Sequence, residues 1–191
     1  MNSNNDILDD IAAMFAVHGG LRYSEVVTQR QHALQCARQA EEAESDSTLI
    51  TAALLHDIGH LLQKHGPEPA AQGIDDKHED IGGAWLARNF QPAVSEPVRM
   101  HVDAKRYLCA VEPGYFEILS PASVRSLELQ GGPMSEGEVG EFEALPYFAA
   151  AVALRRWDEG AKVADAATPD LEYYREHIRA SLVDRAYAAV S

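Results

Sequence analysis

A histidine and an aspartate stand side by side in "LLHDIGH", Leu54 to His60, at the end of an apolar run, and a second histidine follows four residues after the first. Neighbours on a helix point about 100° apart, so His56 and Asp57 cannot share one apolar patch. An unpaired carboxylate in a core is very costly. A metal ion removes that cost, because imidazole nitrogen and carboxylate oxygen are both good ligands for first-row metals. The chain carries eight histidines, His18, His32, His56, His60, His65, His78, His101 and His177, and an acidic protein does not need them for solubility. Four further candidate ligands sit in separate apolar-periodic segments: His32 in "QRQHALQCA", His78 in "DKHEDIGGAWL", His101 in "VRMHVDAKRYL" and Asp158 in "ALRRWDEGAKVAD". Taken singly, each histidine reads as an ordinary core or surface residue. Joined to the His–Asp pair, they read as ligands that several helices deliver to one centre, which is how helical bundles build metal sites.

The elements that must position these groups are helical by pattern. Strand-favouring runs of Val, Ile and aromatics are scarce, while Ala, Leu, Glu and Arg are plentiful. Ile7 to Val17 is amphipathic, with Ile7, Leu8, Ile11, Met14 and Phe15 on one face, and "HGG" ends it. After the "LRYSE" loop, a helix is predicted from Val26 to Ala43. The next, capped by Asp46 or Ser47, runs to about His56, and Gly59 is expected to break or bend the chain. Leu61 to Lys77, with its Pro and Gly residues, is the longest irregular stretch. Helices are predicted over His78–Phe90 and Glu96–Leu108, with Pro92 and Pro97 bracketing a turn between them. Another follows a cap at Ser120, and a further one a capping box of Ser135 and Glu138. Pro146–Asp158 and Pro169–Ala189 complete an all-α helical bundle, read as one domain over residues 1–191.

The 191 residues, 46% of them hydrophobic, suffice for a sizeable core. A formal net charge of −14 argues against binding nucleic acid or anionic membrane surfaces. There is no long apolar span, and "MNSNNDILDD" lacks the form of a signal peptide, so a cytoplasmic location is expected. Cys36 and Cys109 have no metal-type spacing and read as free, reduced thiols.

The order His32, His56–Asp57, Asp158 resembles the H…HD…D pattern of the HD-domain superfamily, over most of the chain. The extra pair His78 and His101 is similar to its dinuclear branch. That resemblance implies one metal held by His32, His56, Asp57 and Asp158 and a second held by Asp57, His78 and His101, with Asp57 as the bridge. Most HD proteins resemble phosphohydrolases, in which two metals clamp a phosphate and activate water. A smaller branch consists of mixed-valent diiron oxygenases. "ALLHDIGH", "HVDAKRYL", "SPAS" with "LELQGGPMSEGE", and "RRWDEGAK" together resemble the oxygenases that cleave the carbon–phosphorus bond of 1-hydroxyphosphonates. The resemblance implies two iron ions in an Fe(II)/Fe(III) pair, with dioxygen as co-substrate.

An acidic protein that binds a phosphonate must concentrate cations locally. Lys105 lies four residues after His101, and Arg155 three before Asp158, so each shares a helix face with a candidate ligand. The resemblance implies that His60, Lys105, Ser123 and Arg155 hold the phosphonate oxygens. It also implies a tyrosine and a glutamate on the "LRYSE" loop, as a cap on the open iron position and a contact to a substrate amine. Glu25 matches the glutamate. The tyrosine's position holds Arg22, with Tyr23 one residue later, so Tyr23 reaches in after a small loop shift or the chain lacks that cap. Two substrates suit this branch: 2-amino-1-hydroxyethylphosphonate, giving glycine, and its trimethylated analogue, giving glycine betaine. A quaternary ammonium needs charge and aromatic faces, for which Tyr23, Tyr107, Tyr115 and Phe116 are available. The departure at Arg22 and the acidic, Pro-rich loop favour the trimethylated substrate. An HD phosphohydrolase and a non-catalytic metal-binding signalling module are the competing readings.

Overall fold

A computed structural model describes residues 4–24, 26–63 and 72–184, and among these the chain is helical and carries no strand beyond two isolated bridges. In chain order the helices are α1 (Asn4–His18), α2 (Gln29–Glu42), α3 (Ser47–Leu55), α4 (Ile58–Leu62), α5 (His78–Leu86), α6 (Pro92–Val111), α7 (Pro121–Leu129), α8 (Glu136–Glu143), α9 (Phe148–Gly160) and α10 (Arg175–Ala180). A short 3-10 turn, Phe116–Ile118, precedes α7.

Side-chain caps set several starts. The Asp46 carboxylate accepts from the Leu49 amide at the head of α3, and Ser120 from Ser123 at the head of α7. Ser135 and Glu138 form the expected capping box. A second box, Thr28 with Gln31, delays α2 to Gln29, three residues later than predicted. The Ser24 hydroxyl accepts from the Val26 and Val27 amides, which keeps that stretch in a turn.

The long helix α6 is the spine: it packs on α9, α5 and α3, while α2 lies against α3 and α9. The apolar face of α1 (Ile7, Leu8, Ile11, Phe15) closes one side of the main core with Leu34, Leu54, Leu86, Val98, Leu154 and Ile178. Cys36 is buried, Cys109 is partly buried, and both are free thiols. Among the described residues no helix is long and apolar enough to cross a membrane.

Three expectations are corrected. Pro97 does not bracket a turn but lies inside α6. An interior proline costs roughly 3 kcal/mol, which the buried packing of α6 on three neighbours offsets. The last helix is confined to Arg175–Ala180, because the chain beyond it bonds laterally, Gln91 N–H to Ser181 O and Val183 N–H to Asn89 O. Residues 185–189 of the predicted helix lie outside the described residues, as do residues 64–71 of the Leu61–Lys77 stretch.

Gly59 does not break the chain; it lies within α4, where α4 crosses α5. A Cβ built there would stand 2.0 Å from the His78 carbonyl oxygen and 2.9 Å from the His78 Cα. The residue is small so that two backbones can touch. Gly59→Ala is therefore expected to push α5 away, to destabilise by roughly 1–3 kcal/mol and to weaken metal binding through His78. Thermal melting and metal content of the purified variant check this.

Candidate active site

Five parts of the fold bring the candidate ligands to one point. His32 comes from α2, His56 and Asp57 from the α3–α4 junction, His78 from the first residue of α5, His101 from the middle of α6 and Asp158 from the end of α9. All six are buried. The His32 and His56 Nε2 atoms are 3.1 Å apart, and Asp57 Oδ2 lies 3.6 and 3.3 Å from them. Asp158 Oδ1 is 3.4 Å from His32 Nε2 and 3.9 Å from His56 Nε2. On the other side, the His78 and His101 Nε2 atoms are 3.2 Å apart, and Asp57 Oδ1 lies 3.5 and 3.7 Å from them. The two oxygens of Asp57 thus face two separate groups of donors.

The outward nitrogens fix how these rings are used. Nδ1 of His32, His56 and His101 meets the carbonyl oxygens of Ala161, Ala53 and Val98, at 2.9, 2.9 and 2.6 Å, and Nδ1 of His78 meets Asp76 Oδ1 at 2.9 Å. Each Nδ1–H donates outward, which leaves an Nε2 lone pair pointing inward. Two such lone pairs 3.1 Å apart cannot bond to each other, and a cation between them relieves the clash. Two ligands about 2.1 Å from one ion and about 90–110° apart stand about 3.0–3.4 Å from each other, close to the spacing here. The donor set fits two first-row metal ions.

The charge balance agrees. Burial alone would raise Asp57, but the imidazoles of His56, His60 and His78 hold its carboxyl well below the usual range. Burial opposes a charge on His56 as well, yet Asp57 and Asp158 push it up to about 9. Two buried carboxylates demand positive charge, and an ion can replace the proton. Burial and the neighbouring His78 press His101 down to about 3, so it is neutral and free to ligate. Cys36 Sγ sits 3.8 Å from His32 Nε2. Burial and the nearby Asp158 push its thiol well up, and its sulfur lies within 4.8 Å of ligand atoms of both His32 and His56.

A cavity of about 360 Å³ opens beside the donors, lined by Tyr23, Asp57, His60, His78, His101, Lys105, Ser123, Arg155, Asp158 and Lys162 among others. Lys105 and Arg155 are almost fully buried. The Lys105 ammonium donates to Ser126 Oγ at 2.7 Å, and burial together with the nearby Arg155 brings it down to about 7. Arg155 donates from Nε to Tyr115 Oη at 3.0 Å and pairs with Asp158 and Glu159 through its two Nη atoms. Five N–H groups against three partners leave donors over for the cavity. The Ser123 hydroxyl donates to Glu159 Oε2 at 3.1 Å and accepts from Lys162 Nζ at 3.1 Å. His60, half-buried at the rim, stacks on His78 with centroids 4.1 Å apart.

Of the two alternatives for the first loop, the structure has Tyr23 reaching inward. Its ring stacks on His32 at 3.6 Å, and its hydroxyl donates to Asp158 Oδ1 at 3.0 Å. Glu25 lies outside the described residues. The other aromatics considered for an ammonium do not line the cavity: Tyr107 packs with Phe142 and Phe148, Tyr115 supports Arg155, and Phe116 is exposed.

Sequence reasoning missed three supporting residues. Asp76 bonds both His60 and His78. Glu159 gathers Ser120 N–H, the Ser123 hydroxyl, Arg155 and Lys162. The signal for Glu159 was its spacing after Arg155, i+4 on one helix face, whereas Lys162 lies just past the end of α9 and had no such mark. Asp76, two residues before His78 in an irregular stretch, had no periodicity to mark it.

Comparison with known proteins bears on the same centre. A sequence model of the HD domain matches residues 30–136. Hydroxymethylphosphonate dioxygenase of Gimesia maris is 49% identical over 166 residues, 86% of this chain and 83% of that protein. The glycine-betaine-forming [1-hydroxy-2-(trimethylamino)ethyl]phosphonate dioxygenase of Leisingera caerulea is 40% identical over 184 residues, 96% of this chain and 93% of that one. An uncharacterized protein of Acanthamoeba polyphaga mimivirus is 35% identical over 172 residues, 88% of this chain and 78% of its own.

Proposed function

The chain belongs to the HD-domain family and, within it, to the phosphonate dioxygenases, and we propose that it cleaves the carbon–phosphorus bond of a small 1-hydroxyphosphonate with dioxygen. The observation that carries this reading is the meeting of six converging donors with a wall of buried cations, Lys105 and Arg155, in one cavity. A bound pair of iron ions, Fe(II) and Fe(III), held by His32, His56, Asp57 and Asp158 on one side and by Asp57, His78 and His101 on the other, would supply dioxygen activation.

The chain's own residues bind and orient. Lys105 and Arg155 take the phosphonate oxygens, with Lys162, Ser123 and His60 at the edges of the same wall. Tyr23 closes the His32 side. For hydroxymethylphosphonate the products are formate and phosphate. The carbon–phosphorus bond breaks, carbon loses four electrons, and dioxygen takes all four, so no further reductant enters.

Hydroxymethylphosphonate is the substrate that the cavity supports best. Among the described lining residues the one aromatic ring besides the imidazoles is Tyr23, already stacked on His32, so these residues build no box of Tyr, Trp or Phe faces for a quaternary ammonium. The trimethylated substrate is the second reading. It is favoured by Asp75, which lines the cavity with Oδ1 buried and unbonded while Oδ2 pairs with Lys77. Dioxygen uptake and phosphate release by iron-reconstituted protein test both. Matched uptake, phosphate and formate with hydroxymethylphosphonate are expected. Matched values with the trimethylated compound alone would select the second reading. Phosphate release from phosphomonoesters without dioxygen uptake would overturn both and return the chain to hydrolysis.

The position of Lys105 adds a pH dependence. Its charged form binds the dianion, so affinity for hydroxymethylphosphonate is expected to fall as pH rises above about 7, by at most about tenfold per unit. Calorimetry in buffers of different ionisation enthalpy should show proton uptake on binding, and Lys105→Met should lose that uptake with the affinity. For stability the sign is opposite. The folded chain binds fewer protons than the unfolded one between about 7 and 10.5, so the penalty of burying this ammonium eases as pH rises through that window.

A further inference from the structure

We infer that Asp76 is a positioning residue whose single carboxylate ties the orientation of a metal-facing imidazole, His78, to that of a phosphonate-facing one, His60. Asp76 Oδ2 accepts from His60 Nδ1 at 2.8 Å, and Oδ1 accepts from His78 Nδ1 at 2.9 Å. The two rings lie nearly parallel, 17° between planes. With both Nδ1 atoms held from one side, both Nε2 atoms project towards Asp57, that of His78 to 3.5 Å from Oδ1 and that of His60 to 3.9 Å. The carboxylate is itself anchored: its side chain is 7% exposed, and the Asp76 backbone carbonyl accepts from Gln63 Nε2 at 2.9 Å.

The contrast with the other three imidazoles gives this contact its meaning. His32, His56 and His101 are oriented by backbone carbonyls of Ala161, Ala53 and Val98. His78 is the one of the four that leans on a side chain, and that side chain is shared with His60. A helix carbonyl holds one ring and is indifferent to substrate. A shared carboxylate makes any turn of the His60 ring felt at His78, and the reverse. Partners of this kind set tautomer and ring direction, and losing one typically lowers metal affinity or activity by about 10–100-fold.

The inference rests on the proposed metal and phosphonate roles, but its test is separable from the oxygenase activity. Asp76→Ala removes both acceptor oxygens. Neither His60 nor His78 then has a partner for its Nδ1–H on this side, and both rings are free to turn. Anaerobic iron(II) titration against a chelator is expected to show one of two ions weakened by about 10–100-fold and the other unchanged. Anaerobic binding of hydroxymethylphosphonate is expected to weaken as well. His60→Ala should keep both ions. In that background Asp76→Ala should still weaken the one ion but add nothing to the loss of phosphonate affinity. Unchanged affinity for both ions, equal loss of both, or additive effects on phosphonate binding would overturn the inference. None of these readings depends on turnover, so an inactive oxygenase with the expected binding pattern would count against the proposed function and not against Asp76. Should Asp76→Ala not fold, Asp76→Glu carries the test. It keeps two acceptor oxygens one methylene further out and is expected to shift the affinities for the one ion and for the phosphonate together, while wild-type values for either overturn the coupling.

Discussion

Asp57→Ala is expected to lose both metal ions and all measurable turnover. The reason is the division of its two oxygens: Oδ2 lies 3.3–3.6 Å from the His56 and His32 nitrogens, and Oδ1 lies 3.5–3.7 Å from those of His78 and His101. Removing the carboxylate strips a ligand from each group and withdraws the negative charge that makes a cation welcome there. Loss of an outer-sphere partner alone costs about 10–100-fold in metal affinity, so removing a bridging ligand should exceed about 100-fold at each ion. Asp57→Asn keeps the shape but only one carbonyl oxygen, and is expected to hold one ion at most. Metal analysis of the purified variants decides the matter, and two ions per chain in Asp57→Ala would sink the bridging assignment.

Arg155 carries the second large effect, on stability and binding together. Its guanidinium is buried between Tyr115, Asp158 and Glu159. Those carboxylates and Tyr115 hold its charge in place against burial. Arg155→Ala leaves Asp158 and Glu159 short of their counter-charge in a buried place, which costs roughly 3–5 kcal/mol. A chain of this size should lose roughly 10 °C in melting temperature. Arg155→Lys restores one charge but not a planar fork with several donors. It is expected to fold with a smaller loss and still to bind hydroxymethylphosphonate at least about tenfold more weakly. A Lys variant that binds the phosphonate as tightly as wild type would remove Arg155 from the anion wall.

Much of this was legible in the sequence because helices have a period. Apolar spacing in Ile7–Val17 and Val26–Ala43 marked buried faces, and the Ser135–Glu138 box marked a start, since both are local effects. The polar residues His32, His56, His101 and Asp158 stood out because they interrupt those apolar faces, where an unpaired polar group is costly. The structure buries all of them at one centre. The i+4 and i+3 steps that tie Lys105 to His101 and Arg155 to Asp158 are likewise properties of a single helix.

What only the tertiary structure decided depends on contacts between elements distant in sequence. Gly59 read as a breaker because glycine is flexible, yet its role is to let α4 touch the His78 backbone, and no local pattern reports the approach of another chain segment. Whether Tyr23 points inward depends on Asp158, 135 residues away. The aromatic residues considered for caging an ammonium were present in composition and faced elsewhere in space. Residue types and helical spacing determined which groups could do chemistry. Which oxygen of Asp57 faces which pair of histidines, and that Asp76 joins His60 to His78, follow only from the packing of α4 against α5 and of α5 against α6, because side-chain direction is set where helices meet.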